Sequence, residues 1–147
     1  MRAVVTRVTS ASVEIDGAVH GAIGPGFLVL LGVHQDDTEQ EALKIADKLC
    51  GLRVFEDEAG KMNVNPADAG AALLIISQFT LFADCKSRRP GFSKAARPET
   101  AIPLYEKVIA ECRGRGFTVE TGVFAAEMQV ASVNDGPVTI LLDTKEL

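Results

Sequence analysis

Residues 3–33, AVVTRVTSASVEIDGAVHGAIGPGFLVLLGV, decide the fold. Ala3–Val8 is apolar and β-branched, and Ser12–Ile15 alternates apolar with polar, both marks of strands. Asp16-Gly17 then reads as a two-residue hairpin turn, because the turns that match strand twist need positive φ, which Asp and Gly tolerate. Ala18–Ile23 is the returning strand. Gly24-Pro25-Gly26 breaks the pattern, and Phe27–Val33 is a continuous apolar run of the kind found in a buried strand.

Outward from this strand-rich third, the period changes. Thr38 with Glu41 three residues on is a capping box, and Ala42, Ile45, Ala46, Leu49 and Cys50 share one face of the helix it starts. Phe55–Asn63 reads as a hairpin around Glu58-Ala59-Gly60, closed by Asn65-Pro66. Ala72–Leu81 is a second buried strand, followed by a long loop over 82–98. A second helix is expected over about 100–113, with Thr100 as N-cap and Pro103 in its first turn. Its inward face carries Ala101, Leu104, Tyr105, Val108 and Cys112, and Gly114 and Gly116 end it. Thr118–Thr121, Glu127–Val133 and Val138–Asp143 complete the strands. The pattern predicts an α+β domain: a curved, mostly antiparallel, barrel-like β-sheet with two main helices.

The chain has 147 residues, a net charge of −5, 47% hydrophobic and 24% charged residues. This fits one soluble domain over residues 1–147 and excludes disordered, collagen-like and disulfide-scaffold classes. The longest apolar run, Gly26–Val33, is far short of the ~20 residues a spanning helix needs, so no membrane partner is expected. MRAVVTR at the N-terminus lacks a signal peptide's apolar core, and a cytoplasmic protein is expected. Cys50, Cys85 and Cys112 are odd in number and lack C-x-x-C spacing, so they read as reduced thiols rather than zinc ligands or disulfides. His20 and His34 each stand alone. A Ser-His-Asp or Cys-His device would have to use one of them, and nothing in the spacing supports that. No cofactor or metal is expected.

Three segments are able to carry chemistry. Ser77-Gln78-Phe79-Thr80-Leu81 places polar groups at the end of an apolar strand, where an unsatisfied group costs about 1–3 kcal/mol. They either bond a neighbouring turn or, with the strand-end amides and the Thr80 hydroxyl, face a pocket. Asn134-Asp135-Gly136-Pro137 between two strands is turn chemistry as a bare pattern. Residues 86–97, KSRRPGFSKAAR, hold five of the fifteen basic residues and no acid. The total charge argues against a nucleic-acid partner, but this concentration suits either a solvated loop or a phosphate-contacting patch.

The pair SQFTL at 77–81 and NDGPVT at 134–139, in this order and spacing, resembles the two signature motifs of the D-aminoacyl-tRNA deacylases. The similarity extends through Arg7-Val8, Ala11-Ser12-Val13, Leu30–Val33, Gly60–Asn63 and Arg89–Lys94, nearly the whole chain. It implies a homodimer that hydrolyses the ester joining a D-amino acid, or mischarged glycine, to tRNA. It also implies a cis Gly136-Pro137 bond inserted into the partner copy's pocket and held in place by Arg7. The catalytic segment is then Ser77, Gln78, Phe79 and Thr80, with Thr80 either a nucleophile or a positioning group. Phe124 and Met128 are implied to line the adenine pocket. Lys86, Arg88, Arg89 and Lys94 are the candidate tRNA contacts, so the expected partners are aminoacylated tRNA and a second copy of the chain. A small-substrate hydrolase using Thr80 as nucleophile and a non-catalytic RNA-binding β-domain are the competing readings.

Overall fold

A computed structural model describes residues 1–147. Strand β1 (Arg2–Ile15) is the spine of the sheet, joined to β2 (Ala18–Ile23) by Asp16 and Gly17, both at positive φ. One edge of β1 is shared: its first half pairs antiparallel with β3 (Gly26–Gly32), its second half with β2. Its other edge pairs antiparallel with β8 (Gln129–Asp143) from Arg2↔Asp143 to Glu14↔Gln129. Beyond β3 lie β6 (Ala72–Ser77) and β7 (Val119–Thr121), and both of these pairings are parallel. Parallel neighbours need long crossovers. Helix α1 (Glu39–Gly51) with the β4–β5 hairpin (Phe55–Glu56, Met62–Val64) supplies one, and α2 (Pro98–Gly114) the other. The sheet is thus mixed, mostly antiparallel, and curved into a barrel-like wall with two main helices outside it.

Both faces of β3 and β6 are covered, which explains their unbroken apolar runs. Phe27, Val29, Leu31, Leu73 and Ile75 face the helices, in one core with Ala42, Ile45, Leu49, Leu104 and Val108. The alternate residues Leu28, Leu74 and Ile76 point to a second cluster with Val8, Val13 and Ile23, against which Met128 packs. Tyr105, buried on α2, donates its hydroxyl to the Ile75 carbonyl at 2.7 Å and so fixes helix to strand. Burial pushes that phenol up to about 12. Cys112 is buried and Cys50 half-buried where α1 meets α2, with their sulfurs 3.8 Å apart and both thiols free.

Three boundaries differ from the sequence expectation. The strand expected to run from Ala72 to Leu81 stops at Ser77, and Phe79–Phe82 coil into a 3-10 turn. Helix α2 begins at Pro98 rather than after Thr100, with Arg97 as N-cap. Pro98 sets that start: its ring presets helical φ, and it holds Arg97 extended at φ −73°, ψ 161°. Pro103 consequently sits inside the helix, on its exposed face, where water can satisfy the carbonyl it leaves unbonded. Finally, the segments read as separate strands at 3–8 and 12–15, and at 127–133 and 138–143, are single long strands.

The capping box at α1 is complete: the Thr38 hydroxyl accepts from the Gln40 amide at 3.3 Å, and Glu41 accepts from the Thr38 amide at 2.6 Å. The Thr38 hydroxyl and then its amide hold the Glu41 carboxyl below its ordinary value. A depressed carboxylate adds stability above its unfolded pKa and loses it as pH falls through the folded one. Thr38→Ala is therefore expected to destabilise the protein by about 1 kcal/mol at neutral pH. The gap between thermal melts of the two proteins should narrow as the pH drops below the carboxylate range, leaving the part due to the Gln40 bond; a constant gap at all pH would contradict this.

Candidate active site

The end of β6 is held from three sides. The Gln78 amide donates to the Leu31 carbonyl at 2.8 Å, carrying the ladder one residue past the strand. The following 3-10 turn closes with Leu81 N–H to Gln78 O at 3.2 Å and Ala83 N–H to Thr80 O at 3.1 Å. Gly32 lies directly beneath: a Cβ there would stand 3.0 Å from both the Gln78 carbonyl oxygen and Leu81 Cβ. Phe82 is buried, with the Arg2 guanidinium 4.6 Å over its ring and His34 packed edge-on at 5.2 Å. Arg2 also donates to the Leu81 carbonyl at 3.0 Å. His34 is thus a packing residue under the turn, and His20 lies exposed on β2.

A turn that starts this way leaves its first amides without helical acceptors. The N–H groups of Phe79 and Thr80 donate to no backbone carbonyl. Phe79 lines a cavity of about 340 Å³, with Ile76, Ser77 and Gln78 beside it on one wall and Phe124, Ala125, Ala126, Met128 and Val130 on the other. Five of the sequence candidates (Ser77, Gln78, Phe79, Phe124 and Met128) therefore meet in one place. Thr80 does not line the cavity; its hydroxyl accepts from the Gln78 side-chain amide. That partner is a donor and not a base, so nothing here activates Thr80 as a nucleophile. No acid, base, histidine or thiol lines the cavity at all. The chemistry it supports is orientation, desolvation and donation from fixed amides.

The opposite wall was not legible in the sequence. Residues 122–126 carry no polar motif, yet they turn back over the end of β6, with Ala125 at φ 63°. A non-glycine residue in that region marks a tightly determined turn. Only Phe124 and Met128 were anticipated there; Ala125, Ala126 and Val130 were not.

The second motif lies elsewhere. Along β8, Asn134 faces Val8 and Thr139 faces Thr6, so residues 135–138 are extruded opposite Arg7 alone. Arg7 is 5% exposed in the sheet. Its Nη1 donates to the Val54 carbonyl at 2.6 Å and its Nε to the Asp135 carbonyl at 3.1 Å, with the Asp135 carboxylate at 3.4 Å. The Asn134 side chain accepts from the Val138 amide at 3.1 Å and closes the excursion. Within it the Gly136–Pro137 peptide is cis, and Gly136 has φ 131°. A Cβ on Gly136 would lie 2.8 Å from Val138 Cγ2 and 3.0 Å from Arg7 Nη2. None of residues 134–137 lines the cavity of the same chain.

The candidate basic contacts form a third feature. Asp84 and Gly91 exchange backbone bonds of 2.7 and 2.9 Å, and Lys94 O and Ala96 N bond Gln35 and Val33 beyond the end of β3. The loop is tied at both ends, while Lys86, Arg88, Arg89 and Lys94 are exposed and in no ion pair.

Comparison with known proteins agrees with this arrangement. The sequence model of the family described as D-Tyr-tRNA(Tyr) deacylase matches residues 4–143. A D-aminoacyl-tRNA deacylase of Anaeromyxobacter dehalogenans is 61% identical over 148 residues, covering 100% of this chain and 99% of that protein. The protein of the same name from Thermus aquaticus is 54% identical, covering 99% and 97%. Among solved structures, one titled c-Myc DNA Unwinding Element Binding Protein superposes with a TM-score of 0.93 at 42% identity, covering 98% of this chain and 99% of that one. Another, titled as a probable eukaryotic D-amino acid tRNA deacylase, shares the fold at a TM-score of 0.83 and 14% identity. With a family model matched over residues 4–143 and relatives more than half identical across the whole chain, the chain belongs to the D-aminoacyl-tRNA deacylase family, hydrolases of the aminoacyl-tRNA ester bond.

Proposed function

We propose that this protein removes D-amino acids, and glycine, from tRNA, and that it rejects L-aminoacyl esters by their configuration. The observation that carries the reading is a cavity without a single titratable side chain, lined by Phe79, whose amide and that of Thr80 next to it donate no turn bond. An aminoacyl ester is labile enough for positioning and oriented donors to suffice. The terminal adenosine enters between Phe124 and Met128, with the ester carbonyl oxygen towards the amides of Phe79 and Thr80. Water, assisted by the free ribose hydroxyl next to the ester, adds to the carbonyl carbon. The oxyanion is held by the two amides, and collapse expels the ribose oxygen, which takes up the proton that water released. Free amino acid and tRNA leave.

Configuration is read by the Gly136-Pro137 loop of a second copy, whose carbonyls hold the substrate's amino group. A D side chain then points outward and an L side chain strikes the loop; glycine has nothing to strike with. Three features support this cross-copy arrangement. The loop is exposed, it does not line its own chain's cavity, and β8 pairs only with β1. That long strand also exposes Val130, Val133 and Leu141, the last 77% exposed. A free strand edge of this length calls for a partner.

The similar structure whose title names DNA binding favours one second reading, nucleic-acid binding without turnover. Matched D- and L-aminoacyl-tRNA decide between them: rapid hydrolysis of the D form and of glycyl-tRNA, with the L form spared, is expected. Equal hydrolysis of D and L would overturn the chiral reading, and no hydrolysis of either would leave only binding.

Arg7→Lys keeps the charge but loses the fork that grips Val54 and Asp135 together. The resulting shift of the loop is expected to lower kcat/KM for D-aminoacyl-tRNA by on the order of 10²-fold. Gly136→Ala should do at least as much, because its Cβ meets Val138 and Arg7 at a φ that L residues rarely adopt. Unchanged kinetics and selectivity in both variants would remove the loop from the site. A substrate ending in 2′-deoxyadenosine should lose more activity than Thr80→Ala does; the reverse, or an acyl-Thr80 adduct, would make Thr80 the nucleophile. Replacing Arg88 and Arg89 by Gln should flatten the salt dependence of tRNA binding by roughly 0.7–0.9 in log–log slope for each phosphate no longer neutralised. An unaltered slope would assign that loop to structure.

A further inference from the structure

Two large aromatic side chains stand exposed together, one of them on the wall of the cavity. Phe79 is 54% and Phe92 38% exposed, and their rings meet edge-on, centroids 5.0 Å apart at 71°. An edge-on pair cannot cover both faces of both rings, so aromatic surface stays open to water. Phe92 is not there by laxity of the chain. It follows the Asp84–Gly91 bridge directly, and its carbonyl accepts from the Ala95 amide at 3.1 Å. Phe79 lines the cavity, and the ring it touches stands in the loop that presents Lys86, Arg88, Arg89 and Lys94. Apolar π-surface within a basic loop is the combination that binds unpaired nucleic acid: cations follow the phosphates and rings stack the bases.

We propose that Phe92, braced by Phe79, is the stacking platform for the base of the cytidine that precedes the terminal adenosine in tRNA. This deepens the reading above and rests on it. When the adenosine occupies the cavity, the strand must leave past Phe79, and the next base emerges beside Phe92. The four cations then lie where the phosphates of the single-stranded end pass. Stacking tolerates any base, so the platform fixes the position of the strand without choosing among tRNAs. It also gives the acidic protein a local grip on RNA that its total charge opposes. Phe92 is a positioning residue: it acts on where the ester lies and touches no reacting atom.

The test is a double-mutant cycle in binding to the full-length protein. The probes are uncharged tRNA and the same tRNA abasic at the penultimate position, at one fixed salt concentration. Loss of one stacked base, worth about 1–3 kcal/mol, corresponds to roughly a 5- to 150-fold rise in Kd. Phe92→Leu and the abasic tRNA are each expected to show a rise in that range, and the two together little more than either alone. Phe92→Tyr, which keeps the ring, should bind as the unaltered protein does. Additive losses, a Tyr variant as weak as Leu, or unaltered protein indifferent to the abasic site would each overturn the platform. The abasic comparison needs no variant and so does not depend on one folding. D-aminoacyl-tRNA turnover run alongside separates the two claims. Turnover without coupling in the cycle removes the platform and leaves the deacylase; coupling without turnover removes the deacylase and leaves an RNA-binding platform.

Discussion

The Arg7 side chain is the constraint on which the rest depends. A guanidinium almost wholly removed from water needs partners for its donors, and here Nε and Nη1 each reach a carbonyl on a different element. One is Val54, in the segment that follows α1; the other is Asp135, in the middle of β8. A strand that would otherwise pair continuously with β1 is therefore prised open for four residues, 135–138. The Gly136-Pro137 loop is an outgrowth of the sheet, braced from behind by the buried Arg7 guanidinium.

The strand-end turn is fixed by a different economy. Gly32 lets the 3-10 turn settle onto β3 so closely that a side chain there would need the turn to shift. Phe82, Arg2 and His34 pin its far end, and its first two amides are left free. Polar residues at the end of an apolar strand usually close a turn by themselves. Gln78 does part of this by donating its side-chain amide to the Thr80 hydroxyl. The mechanism proposed above fits that outcome, because in it an activated ester supplies the reactivity and the ribose beside it the hydroxyl.

Much of this was legible in the sequence where the signal is local. The Asp16-Gly17 turn, the Thr38–Glu41 cap and the inward faces of both helices follow from short-range rules, and the structure has them. What was not legible depends on partners distant in sequence. The parallel pairing of β3, β6 and β7 leaves no mark distinguishing it from any buried strand. The break at Ser77 comes from what the turn packs on, and an apolar run cannot announce it. Pro98 outranked Thr100 as the start of α2, because a fixed φ and its effect on Arg97 decide the boundary before a hydroxyl cap can. The wall at 122–126 is apolar and unpatterned, so only the resemblance of the sequence as a whole pointed to Phe124 and Met128. Net charge misled in the same way: −5 describes the molecule, whereas residues 86–97 hold five of its fifteen basic residues and no acid.

The central claim is that a cavity on one chain is completed by the loop of another. Complementation tests it most directly. One inactive protein has its cavity filled by Ala126→Trp, and the other has its loop deformed by Gly136→Ala. Mixed under conditions that exchange subunits, they form heterodimers in which one sound cavity faces one sound loop. The account predicts that D-aminoacyl-tRNA hydrolysis, lost in each protein alone, returns on mixing. If dimers exchange and activity stays absent, cavity and loop must act within one chain, and the cross-copy reading is wrong.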